Sequence, residues 1–374
     1  MTTRRHQTRL ASIDVLRTIA IVLMTLVHFV ENLAGSWGVV DGAFIGANRY
    51  WWMPTGFAAP TFTFLSGVSY RLWSDAQRAR GRNESELSKI TVRRGLFLIL
   101  LGFVFNVLVW MPEDVFNWDI LTLIGIATLA LDVARRVPVA VTLAACGLIV
   151  SLAPPLRVLA DYSTSWSSGF FEYEFIFGDV VRGCLVTGYF PVFPWLALPL
   201  AGFAAAPLIY DGQPARRPLL IGGMLIAAAV GLMVARPLVP TQLVTTDRLW
   251  SMFPPTTPYL FGTVGGVMLL VVVLHRSVDG WSSGGSWLLR VAGAMSRHSL
   301  SLYIFHHVAH VWPLWLVGFV TTGDATALWQ VAMPVSASLW WAVACLCVMA
   351  WLAYLMDRPG SLSAESLLRW LCEP

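Results

Sequence analysis

The chain of 374 residues has 25 basic and 21 acidic side chains, a formal net charge of +4, and only 12% charged residues. Soluble domains carry about 25% charged residues, so this composition excludes an ordinary water-soluble fold. Hydrophobic residues make up 57% of the chain, and its mean hydropathy is +0.67. The apolar blocks leave no stretch long enough for a separate soluble domain. We therefore expect residues 1–374 to form a single transmembrane domain.

The first element has basic residues before an apolar run, as a secretory signal does. However, its apolar run contains Asp14, Arg17 and His28. The run is also too long for a signal and lacks a clear small-residue cleavage site. The segment is therefore predicted to be a retained first helix.

Apolar runs of about twenty residues predict an all-α polytopic bundle of about ten transmembrane helices. In chain order they lie near 13–32, 52–73, 95–112, 120–134, 138–153, 186–209, 218–236, 257–275, 297–319 and 335–356. The fourth and fifth are short, so a merged or tilted arrangement stays open. An extra re-entrant helix within 154–185 also stays open. This segment is rich in aromatic and acidic residues, which fits an interfacial belt or a docking surface for the acceptor.

The distribution of basic residues predicts the orientation of these helices. With ten helices both termini lie on one side, and 20 of the 25 basic residues fall there. Because cytoplasmic loops are enriched in Arg and Lys, both termini are predicted to be cytoplasmic. The strong preference for Arg over Lys is a compositional hint of a G+C-rich bacterial genome, so the expected location is the bacterial cytoplasmic membrane.

The first helix carries ionisable groups on one face, which is costly in a membrane and usually functional. At 100° per residue, Asp14, Arg17, His28 and Asn32 share this face. Arg17 and Asp14 lie at the inner boundary, and His28 lies in the outer half of the bilayer. The alternatives are a snorkelling anchor for Arg17 and a hydrogen-bonded core histidine for His28.

The ninth helix has the densest polar face. Ser299, Tyr303, His306, His307 and His310 lie within one 100° arc. Such a cluster suits proton transfer, because histidine titrates near neutral pH. A metal site is the alternative, but no cysteine and few carboxylates lie at comparable depth, so we expect no metal. Hydrogen-bonded core histidines are the purely structural interpretation.

Other helices have small residues or prolines. The second helix contains AAPTFTFLSGVSYRLW (58–73), whose small residues allow close helix packing. GYFPVFPWLALPLAGF (188–203) and FPPTTPYLFGTVGG (253–266) begin with prolines and predict broken helix starts, which bilayers tolerate where they are buried or line a cavity. The sequence has no P-loop, dinucleotide fingerprint, nucleophile elbow or HExxH, and nothing in it supports nucleic-acid binding.

Six segments together resemble one family. RLASIDVLRTIAIVLMTLVH (9–28), APTFTFLSGVS (59–69), FNWDILTLIG (116–125), GYFPVFPW (188–195), FPPTTPYLF (253–261) and GAMSRHSLSLYIFHH (293–307) occur in the order seen in bacterial relatives of heparan-α-glucosaminide N-acetyltransferase. In outline the chain is also similar to the acyltransferase-3 membrane proteins. The resemblance implies transfer of an acyl group, expected to be acetyl, from cytoplasmic acyl-CoA to a hydroxyl or amine of a sugar, polysaccharide or lipid.

Carried over by position, the resemblance places Arg17 near the acyl-CoA, and His28 and His306 at the reacting groups. The human lysosomal enzyme has its catalytic histidine after the first conserved helix, whereas residues 29–50 contain none. The glucosaminide acceptor is therefore not carried over. Thr18 also replaces the family's usual glycine. The predicted site comprises His28, His306, His307 and Asp14 for catalysis, and Arg17, Arg71, Arg93, Arg94, Ser66 and Tyr303 for acyl-CoA binding.

Two other classes of function stay open. Broken helices and ionisable groups at mid-membrane are also typical of secondary transporters and flippases, although the sequence shows no inverted repeat. A membrane scaffold without activity explains the bundle but leaves the two polar faces unexplained. The oligomeric state is open, and a dimer is one option.

Overall fold

The computed structural model describes residues 10–34, 56–235, 249–279 and 286–373, and these residues form helices and turns with no β-sheet. The all-α prediction is confirmed. The helices are α1 (Ala11–Ala34), α2 (Ala58–Ala79), α3 (Glu84–Val109), α4 (Ile120–Ala134), α5 (Val139–Leu159), α6 (Phe177–Arg182), α7 (Val192–Trp195), α8 (Ala197–Tyr210), α9 (Arg216–Ala235), α10 (Thr257–Ser277), α11 (Trp287–Arg297), α12 (Ser299–Thr322), α13 (Val335–Met356) and α14 (Ala364–Cys372).

Eight helical segments of the described chain are long and apolar enough to cross a membrane, and the protein is an integral membrane protein. They are α1, α3, α5, the run Phe177–Tyr210 that contains α6 to α8, α9, α10, α12 and α13. The other two predicted helices exist as α2 and α4. The second half of α2 is polar, and α4 has only 15 residues.

The proline-rich start predicted near 188 is broken as expected. A π-helical turn at Gly183–Thr187 follows α6, and α7 lies between Pro191 and the start of α8. The region of the predicted ninth helix contains two helices and not one continuous helix. The separate amphipathic helix α11 comes first, and the chain breaks at His298 before α12 begins.

The described chain divides into two compact units. In the first, which contains Pro60–Arg276, glycines bring helix backbones into direct contact. A Cβ at Gly67 of α2 would lie 1.8 Å from the Pro199 carbonyl oxygen of α8, and one at Gly202 would lie 2.0 Å from the Phe64 carbonyl oxygen. Only glycine permits this approach, which is how membrane helices pack closely.

Helices α3 and α4 of the same unit are joined by a buried charge cluster. The Arg135 guanidinium, whose side chain is fully buried, binds the Asp132 carboxylate at 2.8 Å and also contacts Glu84 and Ser88. Because buried charges are stable only when paired and hydrogen-bonded, this cluster fixes one end of the α3–α4 pair.

The second unit contains Leu10–Ala59 and Ser277–Trp370, so its described helices are α1, α11, α12, α13 and most of α14. Carboxylates satisfy the unpaired N–H groups at two of its helix starts. Asp279 accepts hydrogen bonds from the Ser12 backbone and hydroxyl at 2.7 and 2.6 Å. Glu365 accepts from the Leu300 and Ser301 backbone at 2.7 and 3.1 Å. These contacts anchor α1 and α12, the two helices that carry the residues predicted for catalysis.

Candidate active site

Four imidazoles gather where α1 packs against α12. His306, His307 and His310 of α12 are buried, with 0%, 2% and 3% of their surfaces exposed, and His28 of α1 is half-buried. The rings of His28 and His306 are stacked nearly parallel with centroids 5.3 Å apart, and the His307 ring lies 4.6 Å from His28. The structure therefore brings together three of the four residues predicted for catalysis.

The backbone of α12 fixes the tautomer of its histidines. The Nδ1 atoms of His306 and His307 lie 3.1 and 3.0 Å from the carbonyl oxygens of Leu302 and Tyr303, one turn earlier. His310 makes the equivalent contact with the His306 carbonyl at 2.5 Å. A carbonyl oxygen only accepts, so each Nδ1 carries the proton in a neutral ring and each Nε2 carries a lone pair.

This assignment fixes the protonation of His28 as well. Its Nδ1 lies 3.0 Å from the Nε2 of His306. Because that Nε2 is an acceptor, His28 must donate from Nδ1, and in the neutral ring its Nε2 holds the lone pair. A directed chain of hydrogen bonds thus runs from His28 through His306 to the Leu302 carbonyl.

A second pair supports the cluster on its far side. The Asn32 side-chain nitrogen donates to His310 Nε2 at 2.7 Å, and both side chains are buried. Asn32 and His310 were placed on the polar faces by helical periodicity but were not among the predicted site residues. Their mutual contact joins positions 278 apart in sequence, which periodicity within one helix does not reveal.

The inner end of α1 lies against α11. Arg17 Nη1 donates to the Ser296 hydroxyl at 3.3 Å, and the Thr18 hydroxyl donates to the Ala292 carbonyl at 3.0 Å. Asp14 is buried in the first turn of α1. It lies 14 residues before His28, or about 21 Å along the helix axis. The structure does not bring Asp14 to the histidines, and its predicted catalytic role stays a prediction.

An ion-pair cluster follows at the end of α11. Arg297 donates from Nε to the Asp357 carboxylate at 2.7 Å, and His298 Nε2 lies 3.3 Å from the same carboxylate. Hydrogen bonds from Arg297 hold the pKa of Asp357 below its ordinary value. Arg297 is thereby engaged with Asp357.

The remaining predicted residues divide between the units. Tyr303 lies on α12 with its ring 4.8 Å from His307. The other four belong to the first unit. Arg71 pairs with Asp75 at 2.6 Å, Arg94 pairs with Glu373, Arg93 is exposed, and the Ser66 hydroxyl donates to the Thr63 carbonyl at 2.7 Å. Their binding roles stay predictions.

The histidine cluster also brings three possible metal ligands close together. One ligand atom each from His28, His306 and His307 lie within 4.8 Å of one another. The site therefore offers both a base for proton transfer and a set of imidazole ligands.

A known protein family matches the chain. The model described as heparan-alpha-glucosaminide N-acetyltransferase, catalytic, matches residues 9–223, more than half of the chain. The matched range contains α1, with Arg17 and His28, and ends before α12. No curated protein matches the chain significantly.

Proposed function

Since the chain belongs to the family of heparan-alpha-glucosaminide N-acetyltransferase catalytic domains, which are membrane acetyltransferases, we propose that it transfers an acyl group from acyl-CoA to a hydroxyl or amine acceptor. Acetyl-CoA is the expected donor. The acceptor is a sugar, polysaccharide or lipid, facing outward or within the membrane. One observation carries the proposal: the hydrogen bond of His28 to His306, which leaves a lone pair on His28 Nε2.

In this proposal Arg17 holds the phosphate end of acyl-CoA at the inner end of α1. A guanidinium binds phosphate oxygens bidentately, and Arg17 lies on α1 toward the end opposite His28. The thioester then extends along α1 toward His28.

His28 is the proposed general base. Its Nε2 takes the acceptor proton while the acceptor oxygen or nitrogen attacks the thioester carbonyl. When the tetrahedral intermediate collapses, the carbon–sulfur bond breaks and the imidazolium returns the proton to the thiolate. The products are the acylated acceptor and CoA. A covalent acyl-histidine intermediate is the variant of this route.

His306 is the proposed positioning residue. Its Nε2 accepts from His28 Nδ1, which orients the ring and stabilises the positive charge that forms on His28. The Leu302 carbonyl holds His306 in turn at 3.1 Å. This is the arrangement of a base oriented by a third group, made here entirely from imidazoles and backbone.

Purified protein in detergent or nanodiscs tests the proposal directly. We expect saturable binding of acetyl-CoA, and release of free CoA when an acceptor extract from the cell envelope is added. Mass spectrometry of envelope glycans and lipids, with and without the gene, identifies the acceptor by a mass gain of one acetyl group. A well-folded protein that neither binds acetyl-CoA nor releases CoA contradicts the proposal, and a transporter or flippase would then be favoured.

A further inference from the structure

The histidines at the α1–α12 contact have a second chemical capacity that proton transfer does not use. Nδ1 of His28 and Nε2 of His306 are 3.0 Å apart. A tetrahedral zinc ion with bonds of about 2.0–2.1 Å has ligand nitrogens about 3.3 Å apart. To become two ligands on one ion, the two nitrogens must separate by about 0.3 Å and both rings must rotate so that their lone pairs point to a common position.

His307 supplies a third nitrogen. The three ligand atoms lie within 4.8 Å of one another, so bringing the widest pair to about 3.3 Å needs a closure of at most about 1.5 Å. The ring centroids of His306 and His307 are 4.0 Å apart. The metal-bound form requires this shift to come from rotation of the three neighbouring rings.

The outer partners of these rings are those of metal-binding histidines. A ligating imidazole almost always donates its other N–H to a carboxylate, a backbone carbonyl or water. His306 and His307 each donate Nδ1–H to a carbonyl of α12, which aims their Nε2 lone pairs away from their own backbone. Two of the three rings thus have the tautomer that a ligand binding through Nε2 requires.

We propose that His28, His306 and His307 form a binding site for a divalent transition-metal ion of the zinc class. Imidazole nitrogen suits Zn²⁺ and Co²⁺, whereas Mg²⁺ and Ca²⁺ prefer oxygen. To bind, His28 moves its proton from Nδ1 to Nε2 and exchanges its hydrogen bond to His306 for a bond to the metal. No proton is lost overall. Water or a substrate atom takes the fourth position.

Metal binding and the proposed general base exclude each other, because the bound form carries a proton on His28 Nε2. The ion is therefore an inhibitor of the proposed acyl transfer. The metal site itself depends only on the three rings, and it stands or falls without any turnover measurement.

The experiment uses the full chain, purified with an affinity tag that contains no histidine and treated with a chelator. Titration with Co²⁺ should give the intense visible absorption of a four-coordinate site, with one ion bound per chain by elemental analysis. Zn²⁺ should displace Co²⁺ and abolish that absorption. Wild-type protein that binds no Co²⁺, or binds it only with the weak absorption of a six-coordinate ion, overturns the proposal.

Single variants assign the ligands. Loss of a residue that hydrogen-bonds to a metal ligand weakens metal binding by about 10–100-fold. His307→Gln and His28→Gln each remove a ligand itself, so each should weaken Co²⁺ binding by more than this. His275→Gln is the matched control, because His275 packs on Tyr210 in the first unit and should leave binding unchanged. Size-exclusion chromatography identifies the variants that fold. If His307→Gln or His28→Gln aggregates, His306→Gln is measured in its place. Equal Co²⁺ affinity in the wild type and a folded ligand variant removes that residue from the site.

The consequence for activity is measured separately. If acetyl transfer is found, Zn²⁺ should inhibit it and a chelator should restore it. If acetyl transfer is absent while Co²⁺ binds as described, the proposed function fails and the metal site remains. Undiminished transfer by protein with one bound Zn²⁺ contradicts the mutual exclusion.

Discussion

The Nδ1–H of His28 donates to one ring nitrogen of His306, and this single contact decides which side of His28 is basic. His28→Ala should lower kcat by about 10²–10⁴, the usual loss for a general base. His306→Ala should lower kcat as well. The KM for acetyl-CoA should stay unchanged, because the substitution removes the residue that orients His28 and not a residue that contacts acetyl-CoA. The measurement is CoA release at saturating acetyl-CoA.

The two histidines should act as one group, so the double variant should be little slower than the slower single variant. His306→Gln should recover part of the activity lost in His306→Ala, because its side-chain oxygen can accept from His28 Nδ1. A merely structural role for His306 would give no such rescue at equal stability. Near-normal turnover in a stable His28→Ala protein would remove His28 from the mechanism.

Arg17 is the residue expected to bind the cofactor phosphates. Arg17→Ala should weaken acetyl-CoA binding by about 10- to 100-fold, because hydrogen bonds to charged groups contribute about 1.5–3 kcal/mol. Isothermal titration of the detergent-solubilised protein measures this. Arg290→Ala, an exposed arginine on α11, is the control and should bind acetyl-CoA normally. Unchanged affinity in a folded Arg17→Ala protein would place the phosphates elsewhere.

At the scale of helices, the contact of α2 with α8 depends on the absence of side chains at Gly67 and Gly202. Gly67→Ala places a methyl group 1.8 Å from the Pro199 carbonyl oxygen, so the helices must separate. We expect a destabilisation of about 1–3 kcal/mol or more. Thermal unfolding in detergent, followed by intrinsic tryptophan fluorescence, measures the loss.

Gly147→Ala is the matched control. Gly147 lies within α5, and a Cβ there meets nothing within 4 Å among the described residues. Alanine should be neutral or slightly stabilising at this position, because glycine costs about 0.5–1 kcal/mol within a helix. Equal melting temperatures for both variants would mean that α2 and α8 do not approach as closely as described.

Hydropathy located the long apolar helices but not their polar ends. It predicted a helix near 95–112, whereas α3 begins at Glu84, where Asn83 and Glu86 form a capping box. It missed α11 and α14, which are short and amphipathic, because an average over about twenty residues dilutes an apolar stripe. Local hydrogen bonds determine where a helix begins, and hydropathy averaged over about twenty residues carries no information about them.

Helical periodicity was sufficient to place His28, His306 and His307 on polar faces, but it gave no partners. Which imidazole donates to which depends on contacts between α1 and α12, whose residues are 278 apart in sequence. The distance between Asp14 and His28 needs no such contact. Both lie on α1, so the helical rise alone predicts their separation of about 21 Å.

For the whole molecule, the family match and the histidine cluster give different information. The match covers residues 9–223, so it includes His28 and Arg17 but not His306 or His307. The proposed base therefore lies in the matched region, whereas the residue that positions it does not. The variants of His306 therefore test a part of the mechanism that lies outside the region matched by the family model.

The orientation of the chain is the last prediction. Termini and the segment 74–94 should face the cytoplasm, because 20 of 25 basic residues fall on that side of a ten-helix arrangement. This sidedness matters for function, since it puts Arg17 on the face where acyl-CoA is made and His28 toward the opposite face. Reporter fusions after Glu373 and within 154–185 measure it, using one enzyme active only in the cytoplasm and one active only outside. The two sites should give opposite results. If both fusions reported the same compartment, the number of membrane crossings between them would differ from the prediction by an odd number. If the N-terminus proved to lie outside, Arg17 would lose its access to cytoplasmic acyl-CoA.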